Sequence, residues 1–170
     1  LVKLTADAGY HFRRSYTDAS LLLNVEEINW YKLGYFPRPM KKPFAFQLEG
    51  QTRKDSVRMT LQSGDLKLNF RSRTTLEKLM KQSALFSEVL MKQVNNKRLD
   101  HAALRKVLPS AGLRLTAGPD NPFSRYLAMK DITYNQVNVL FGTTPTRGIN
   151  GRAMVSGLSV DSTRLDTVFL

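Results

Sequence analysis

The chain contains few residues that could perform acid–base or metal chemistry. Its two histidines are His11 and His101, and cysteine is absent, which excludes a thiolate metal site and a cysteine nucleophile. Glu26 and Glu27 are adjacent, so in a strand their carboxylates point to opposite faces and cannot act together as acid and base. No serine-histidine-acid set can be assembled. We therefore predict no catalytic residue, no metal site, no cofactor and no enzymatic activity.

Two glycine-containing segments could in principle hold a phosphate. They are LTAGPDNP at 115–122 and GTTPTRGING at 142–151. Neither has the Gly-x-Gly-x-x-Gly spacing or the Walker spacing that cradles a phosphate, so both are interpreted as turns.

The positive charge favours an anionic partner. The chain has 26 Lys and Arg against 14 Asp and Glu, a net charge of +12 and a pI near 10.2. Nucleic acid, phospholipid headgroups and lipopolysaccharide all fit such a charge. The basic residues are scattered, which favours solvated faces over a nucleic-acid interface; the main pairs are Lys41-Lys42, Arg71-Arg73, Lys97-Arg98 and Arg105-Lys106. No apolar run is long enough to cross a membrane, and we expect any targeting or anchoring segment to lie outside this piece.

Alternation of apolar and polar residues predicts strands over much of the first 73 residues. The segment 57–70 predicts a hairpin turning at 63–65, and PFAFQLEGQ at 43–51 repeats the same pattern. The segment 20–36 predicts a strand followed by a helical turn ending at Gly34, and Pro37 and Pro39 predict an extended linker.

From residue 74 the apolar spacing changes to three and four residues, which predicts helices. Thr74 and Glu77 have capping-box spacing at the start of a helix over 74–94. This helix could lie on a membrane, but its mixed charges favour packing on the sheet or a neighbouring helix. A second helix is predicted from Asp100 to before Pro109, and a third with Asn121 as N-cap and Pro122 at its first position.

The fold class predicted is α+β, mainly β. It consists of strands at 1–73, a mainly helical insert of two to three helices at about 74–129, and strands at 130–170. We expect a curved, groove-like antiparallel sheet with one apolar and one polar face. The last strand, STRLDTVFL, runs to Leu170 without a turn, so we expect 1–170 to be one segment of a longer sheet whose strands continue beyond this piece.

The apolar face of such a sheet must be covered by helices, by another sheet, or by something that is not protein. Nine residues are predicted to line it as a lipid-binding groove: Val57, Met59, Leu61, Leu66, Leu68, Phe70, Val137, Val139 and Phe141. The same alternation would equally serve a protein-filled sandwich, and both interpretations stay open at this point.

Three stretches resemble one protein family. They are SGDLKLNF at 63–70, the run from Met91 to Ile132, and GTTPTRGINGRAMVSGLSVDSTRLDTVFL at 142–170. Together they resemble the periplasmic region of TamB-type translocation and assembly module proteins, of the AsmA-like superfamily, especially the long Bacteroides-like versions. The resemblance is firmest from about Asp55 to Leu170.

The resemblance implies a periplasmic protein, anchored in the inner membrane outside this segment, with a β-groove lined by apolar side chains. It implies a non-enzymatic role in cell envelope biogenesis: phospholipid transport and outer-membrane protein assembly with an Omp85-family partner. On this interpretation phospholipid is the ligand and no nucleic acid is expected. The alternative, drawn from the charge, is a basic binding module for nucleic acid or polyanionic glycan.

Overall fold

One open antiparallel sheet of ten strands dominates the computed structural model, which describes residues 2–13, 16–28 and 44–170. The strands are β1 (Val2–Arg13), β2 (Tyr16–Ile28), β3 (Phe44–Arg53), β4 (Ser56–Ser63), β5 (Leu66–Ser72), β6 (Ala111–Ala117), β7 (Ile132–Thr133), β8 (Gln136–Thr144), β9 (Gly148–Val160) and β10 (Thr163–Phe169). The helices are α1 (Leu76–Asn95), α2 (His101–Val107) and α3 (Pro122–Ala128). The predicted fold class, mainly antiparallel β with three helices, is confirmed.

The sheet is a meander in which chain neighbours are usually spatial neighbours. Its order is β1-β2-β3-β4-β5-β6-β8-β9-β10, and the short β7 pairs with β9 next to β8. Tight turns make this order accessible: Gly64 and Asp161 adopt φ of 59° and 51° in the turns between β4 and β5 and between β9 and β10. Two-residue hairpin turns require such positive φ values. The predicted hairpin at 57–70 is confirmed as β4 and β5.

Part of the prediction for 20–36 lies outside the described residues. The strand is present as β2, which includes Ile28, a residue whose spacing had suited a helix. The helical turn ending at Gly34 and the linker at Pro37 and Pro39 lie among residues that the structure does not describe.

The helix caps follow the prediction with one correction. Thr75, not Thr74, is the N-cap of α1, and its hydroxyl oxygen accepts a hydrogen bond from the Lys78 N–H at 3.1 Å. Two consecutive threonines offer the same hydroxyl, so spacing alone did not distinguish them. The predicted caps Asp100 and Asn121 are confirmed, accepting from the third helical N–H of α2 and α3 at 3.0 and 2.9 Å.

The region 74–129 is not one continuous helical insert. Strand β6 lies inside it and occupies the middle of the sheet, between β5 and β8. The helices therefore fall in two separate connections, α1 and α2 between β5 and β6, and α3 between β6 and β7. Because β6 pairs along its whole length, the first pair of helices emerges from one end of the sheet and α3 from the other.

We call the first of these the helical end, where Ser72, Ala111 and Thr143 lie in one row. The chain from α2 to β6 is tied across this row. Ser72 Oγ donates to the Ser110 carbonyl and Thr143 Oγ1 donates to the Pro109 carbonyl, both at 2.6 Å. Val57, which pairs with Ser72, is buried, as are Leu79 of α1 and Leu108 after α2. This end therefore contains most of the small hydrophobic core.

We call the opposite end the loop end, where the turn between β4 and β5 meets the loop before α3. The Asp65 carboxylate accepts from the Asp120 N–H and from Asn121 Nδ2, both at 2.7 Å. Asn121 is only 1% exposed and also donates to the Gly118 carbonyl. A Cβ on Gly64 would collide with the Asp120 carbonyl, so glycine is required there for close approach as well as for its positive φ. A buried polar network thus joins two loops that are distant in sequence.

Few apolar side chains are buried outside these two ends. Of the hydrophobic residues that the structure describes, the fully buried ones are Val57, Leu79, Leu108, Ala117 and Tyr134. The expectation that the apolar stripe of α1 packs is only partly met: Leu79 is buried, whereas Leu76 and Met80 are 44% and 63% exposed. The layer is thin because these helices leave from an end of the sheet, with few residues to cover their apolar sides.

Substitutions in α1 test this placement. Leu79→Ala should lower the free energy of unfolding by about 2–5 kcal/mol, because it removes a buried side chain. Met80→Ala is the matched control and should change stability by less than about 0.5 kcal/mol, since an exposed side chain loses little on truncation. Chemical denaturation of both variants measures the difference, and equal losses would contradict the placement of α1.

Asn121 supplies a second test at the loop end. Asn121→Ala leaves the buried partners of its amide unsatisfied and should cost about 1–3 kcal/mol. Hydrogen exchange should show the loss as faster exchange in the 63–66 turn and in α3, with α1 unaffected. Uniformly faster exchange in both helical regions would show that the two ends are not independent.

Candidate functional site

The strand register assigns the strand side chains to two faces of opposite character. In an antiparallel sheet, directly paired residues share a face, and alternate residues along a strand return to it. We call the face that bears Leu61 and Leu68 the apolar face, and the other the polar face.

A row of apolar residues crosses the apolar face from one edge to the other. We call it the central row, and its paired members are Ala8, Leu21, Leu48, Leu61, Leu68, Leu115, Val139, Ala153 and Leu170. Nine strands at about 4.8 Å spacing make this row about 38 Å long. No polar side chain interrupts it.

All nine residues predicted to line the groove lie on the apolar face. Leu61, Leu68 and Val139 belong to the central row. Met59, Phe70 and Phe141 lie in the next row, joined through Leu113. Val57 lies at the helical end, and Leu66 and Val137 lie toward the loop end. The geometric part of the prediction therefore holds, and their role in lipid binding stays a prediction.

The central part of the apolar face is open. Met59 is 40% exposed and Phe141 is 39% exposed, although each points away from the polar face. A helix or second sheet packed over them would bury both. The described strands all belong to one sheet, so within these residues no second sheet forms the predicted sandwich alternative. The surface is covered only at its ends.

Sequence reasoning missed several contributors to this face. Leu48 shows clear alternation but was not included, and Leu113 and Leu115 were passed over because LRLTAG lies between two helices. The Leu-Arg-Leu alternation of this stretch was the available signal. Ala153 opens no space in the row but has no alternation strong enough to single it out.

The polar face contains the well-formed cavities. One of about 430 Å³ is lined by His11, Asp18, Glu49 and Arg58 among others, and one of about 530 Å³ lies between β6, β8, β9 and β10. The apolar face is therefore a broad surface, and an apolar chain on it would lie along the sheet with one side exposed.

Residues considered for catalysis are dispersed in the structure. His11 pairs with Asp18 on the polar face, and His101 is exposed in the first turn of α2. Among the described residues, no group of three His, Asp or Glu side chains could hold a metal ion. No helix in the described ranges has the length and apolarity to cross a membrane.

Comparison with models of protein families, with curated proteins and with solved structures gave no match.

Ser63 provides a test of packing on the apolar face. Its side chain is 1% exposed and its hydroxyl has no hydrogen-bond partner among the described residues. Ser63→Ala removes a buried unsatisfied hydroxyl, so stability should stay level or rise by about 1 kcal/mol. Ser72→Ala is the control, because Ser72 donates to a carbonyl, and it should destabilise. Thermal unfolding of both variants measures the contrast, and a destabilised Ser63→Ala would mean that the hydroxyl has a partner.

Proposed function

We propose that this chain is a non-enzymatic module of cell envelope biogenesis whose apolar face binds the acyl chains of phospholipids. In this proposal it belongs to a lipid-conducting β-groove or a scaffold for outer-membrane assembly, as in TamB-type proteins. The protein is then periplasmic, anchored in the inner membrane by another part of the chain, and reaches an Omp85-family partner through other segments.

The observation that supports this most strongly is the uninterrupted central row. Its members are aliphatic, they come from nine strands, and no described element covers the middle of the face. Removing a CH₂ group from water contributes about 0.8 kcal/mol, so an acyl chain lying along several of these residues would be bound by hydrophobic burial alone. A laterally continuous row also lets a chain shift from strand to strand without crossing a polar side chain.

Aliphatic side chains favour a flexible hydrocarbon over a flat aromatic ligand. The central row contains only Leu, Val and Ala, and the aromatic rings stand beside it, with Phe70 and Phe141 in the adjacent row. Such a surface has no hydrogen-bond donors to select a polar ligand. The binding we propose is therefore selective for apolar chain length and not for headgroup.

The alternative of a nucleic-acid module has less support. Single-stranded nucleic acids are usually bound by aromatic side chains that stack on bases beside basic residues. The polar face of β3–β9 carries basic residues but no aromatic side chain, because every aromatic residue of these strands falls on the apolar face.

Lipid binding by paired variants tests the proposal. Met59→Ser and Phe141→Ser replace partly exposed residues of the apolar face, so folding should survive. Each should weaken binding of a fluorescent fatty acid or of short-chain phosphatidylcholine by about threefold to tenfold, since about 1 kcal/mol or more of apolar contact is lost. Gln62→Ser, on the polar face of the same strand as Met59, should leave binding unchanged.

Two outcomes would overturn the proposal. One is the absence of any saturable lipid binding by the unaltered protein. The other is equal weakening by Gln62→Ser, which would mean that lipid does not distinguish the two faces. Nucleic acid that co-purifies and dissociates steeply with salt, in place of lipid, would favour the polyanion alternative.

A further inference from the structure

A second feature lies on the opposite side of the sheet from the apolar face. Strands β4–β9 contain five basic residues and no acidic residue. The register places all five on the polar face: Arg58, Lys67, Arg71, Arg114 and Arg152. Arg58 and Arg71 are directly paired, an arrangement of like charges that is unfavourable unless an anion is present. This face is therefore a cationic surface without acidic neighbours in its strands.

Two of the five arginines lie at one cavity. Arg114 on β6 and Arg152 on β9 both pair with Leu140 on β8, so their backbones stand two strand spacings apart, about 9.6 Å. Within the part of the chain that the structure describes, neither guanidinium forms an ion pair or a side-chain hydrogen bond. Both groups can reach one anion held above Leu140.

The cavity has the shape of a trough between two rows of side chains. Its volume is about 530 Å³, within the range of small-molecule sites, which is about 300–1,000 Å³. The row of Arg114, Leu140 and Arg152 forms one wall. The next row forms the other wall and contributes Thr116, Asn138, Met154 and Phe169. The backbone between the two rows forms the floor.

The chemistry of these walls specifies the ligand class. Two arginines, with a hydroxyl and an amide opposite them, can donate several hydrogen bonds to the oxygens of one phosphate group. Leu140, Met154 and Phe169 add apolar surface in the same trough, and Leu140 is 38% exposed. A ligand that fits both parts carries a phosphate next to an apolar group.

We propose that this trough is a binding site for a phosphate ester, with Arg114 and Arg152 holding the phosphate and Asn138 completing its hydrogen bonds. The site is distinct from the acyl-binding surface, because its side chains lie on the other face of the sheet. It does not depend on the function proposed above. The phosphate group is common to a lipid headgroup and to a soluble phosphate ester, and the experiment below distinguishes these sources.

Titration with glycerol 3-phosphate, followed by NMR of the arginine Nε–H resonances, tests the site. The Arg114 and Arg152 signals should shift together and saturate. Arg114→Gln and Arg152→Gln should each weaken binding about tenfold, because each removes a charge-assisted contact. Arg114→Lys keeps the charge but loses the planar two-bond geometry, and should weaken binding less than Gln does.

The matched control is Arg58→Gln, which makes the same charge change on the same face but outside the trough. It should alter the affinity less than twofold. Phe141→Ser, on the apolar face, should also leave phosphate binding unchanged, which separates this site from lipid binding. A loss with Arg58→Gln equal to that with Arg114→Gln would overturn the site, because it would show only diffuse attraction to positive charge. Shifts that do not saturate would overturn it as well.

Dihexanoyl phosphatidic acid, used below its micelle concentration, identifies the source. Tighter binding than glycerol 3-phosphate, with the difference lost in Leu140→Ser, supports the site and assigns it to a lipid headgroup. Equal affinity for both probes supports the site and assigns it to a soluble phosphate ester. Failure of both probes to shift the two arginine signals overturns the proposal.

Discussion

The unbroken register of the antiparallel sheet is the constraint on which the other features depend. Side chains alternate with a period of two, so a slip of one residue between any pair of strands would exchange the two faces beyond that point. From β2 to β8 each successive pair keeps its register without a shift. The aliphatic row on one face and the acid-free basic surface on the other both follow from this one property.

The two ends of the sheet hold this register by different means. At the helical end, hydroxyl groups of Ser72 and Thr143 bind the carbonyls that lead into β6. At the loop end, the Asp65 carboxylate and the Asn121 amide join loops separated by more than fifty residues. Buried polar groups are costly unless paired, so these networks penalise any alternative alignment of β5, β6 and β8. The middle of the sheet is then free to carry an uncovered surface.

Local signals in the sequence were sufficient for much of the fold. The two-residue alternation identified the 57–70 hairpin, and Asp100 and Asn121 were correctly assigned as helix caps, because both features act over a few residues. The nine groove residues were placed on one face for the same reason.

Other features depend on long-range contacts that a single sequence does not display. β6 was absorbed into a helical insert because its seven residues lie between helices, and only its pairing with β5 and β8 makes it a strand. The convergence of Arg114 and Arg152 depends on the same pairing, since they are 38 positions apart in sequence and become neighbours across Leu140. The exposure of Met80 follows from where α1 leaves the sheet, which periodicity alone does not specify.

The central claim is that acyl chains contact the apolar face and not the polar face. Photo-crosslinking with a photoreactive amino acid at position 68, in the central row, or at position 67, its neighbour on the polar face, tests it most directly. With a radiolabelled phosphatidylcholine, we predict crosslinked lipid at position 68 and little at position 67. Crosslinking of equal yield at both positions, or at position 67 alone, would contradict the account.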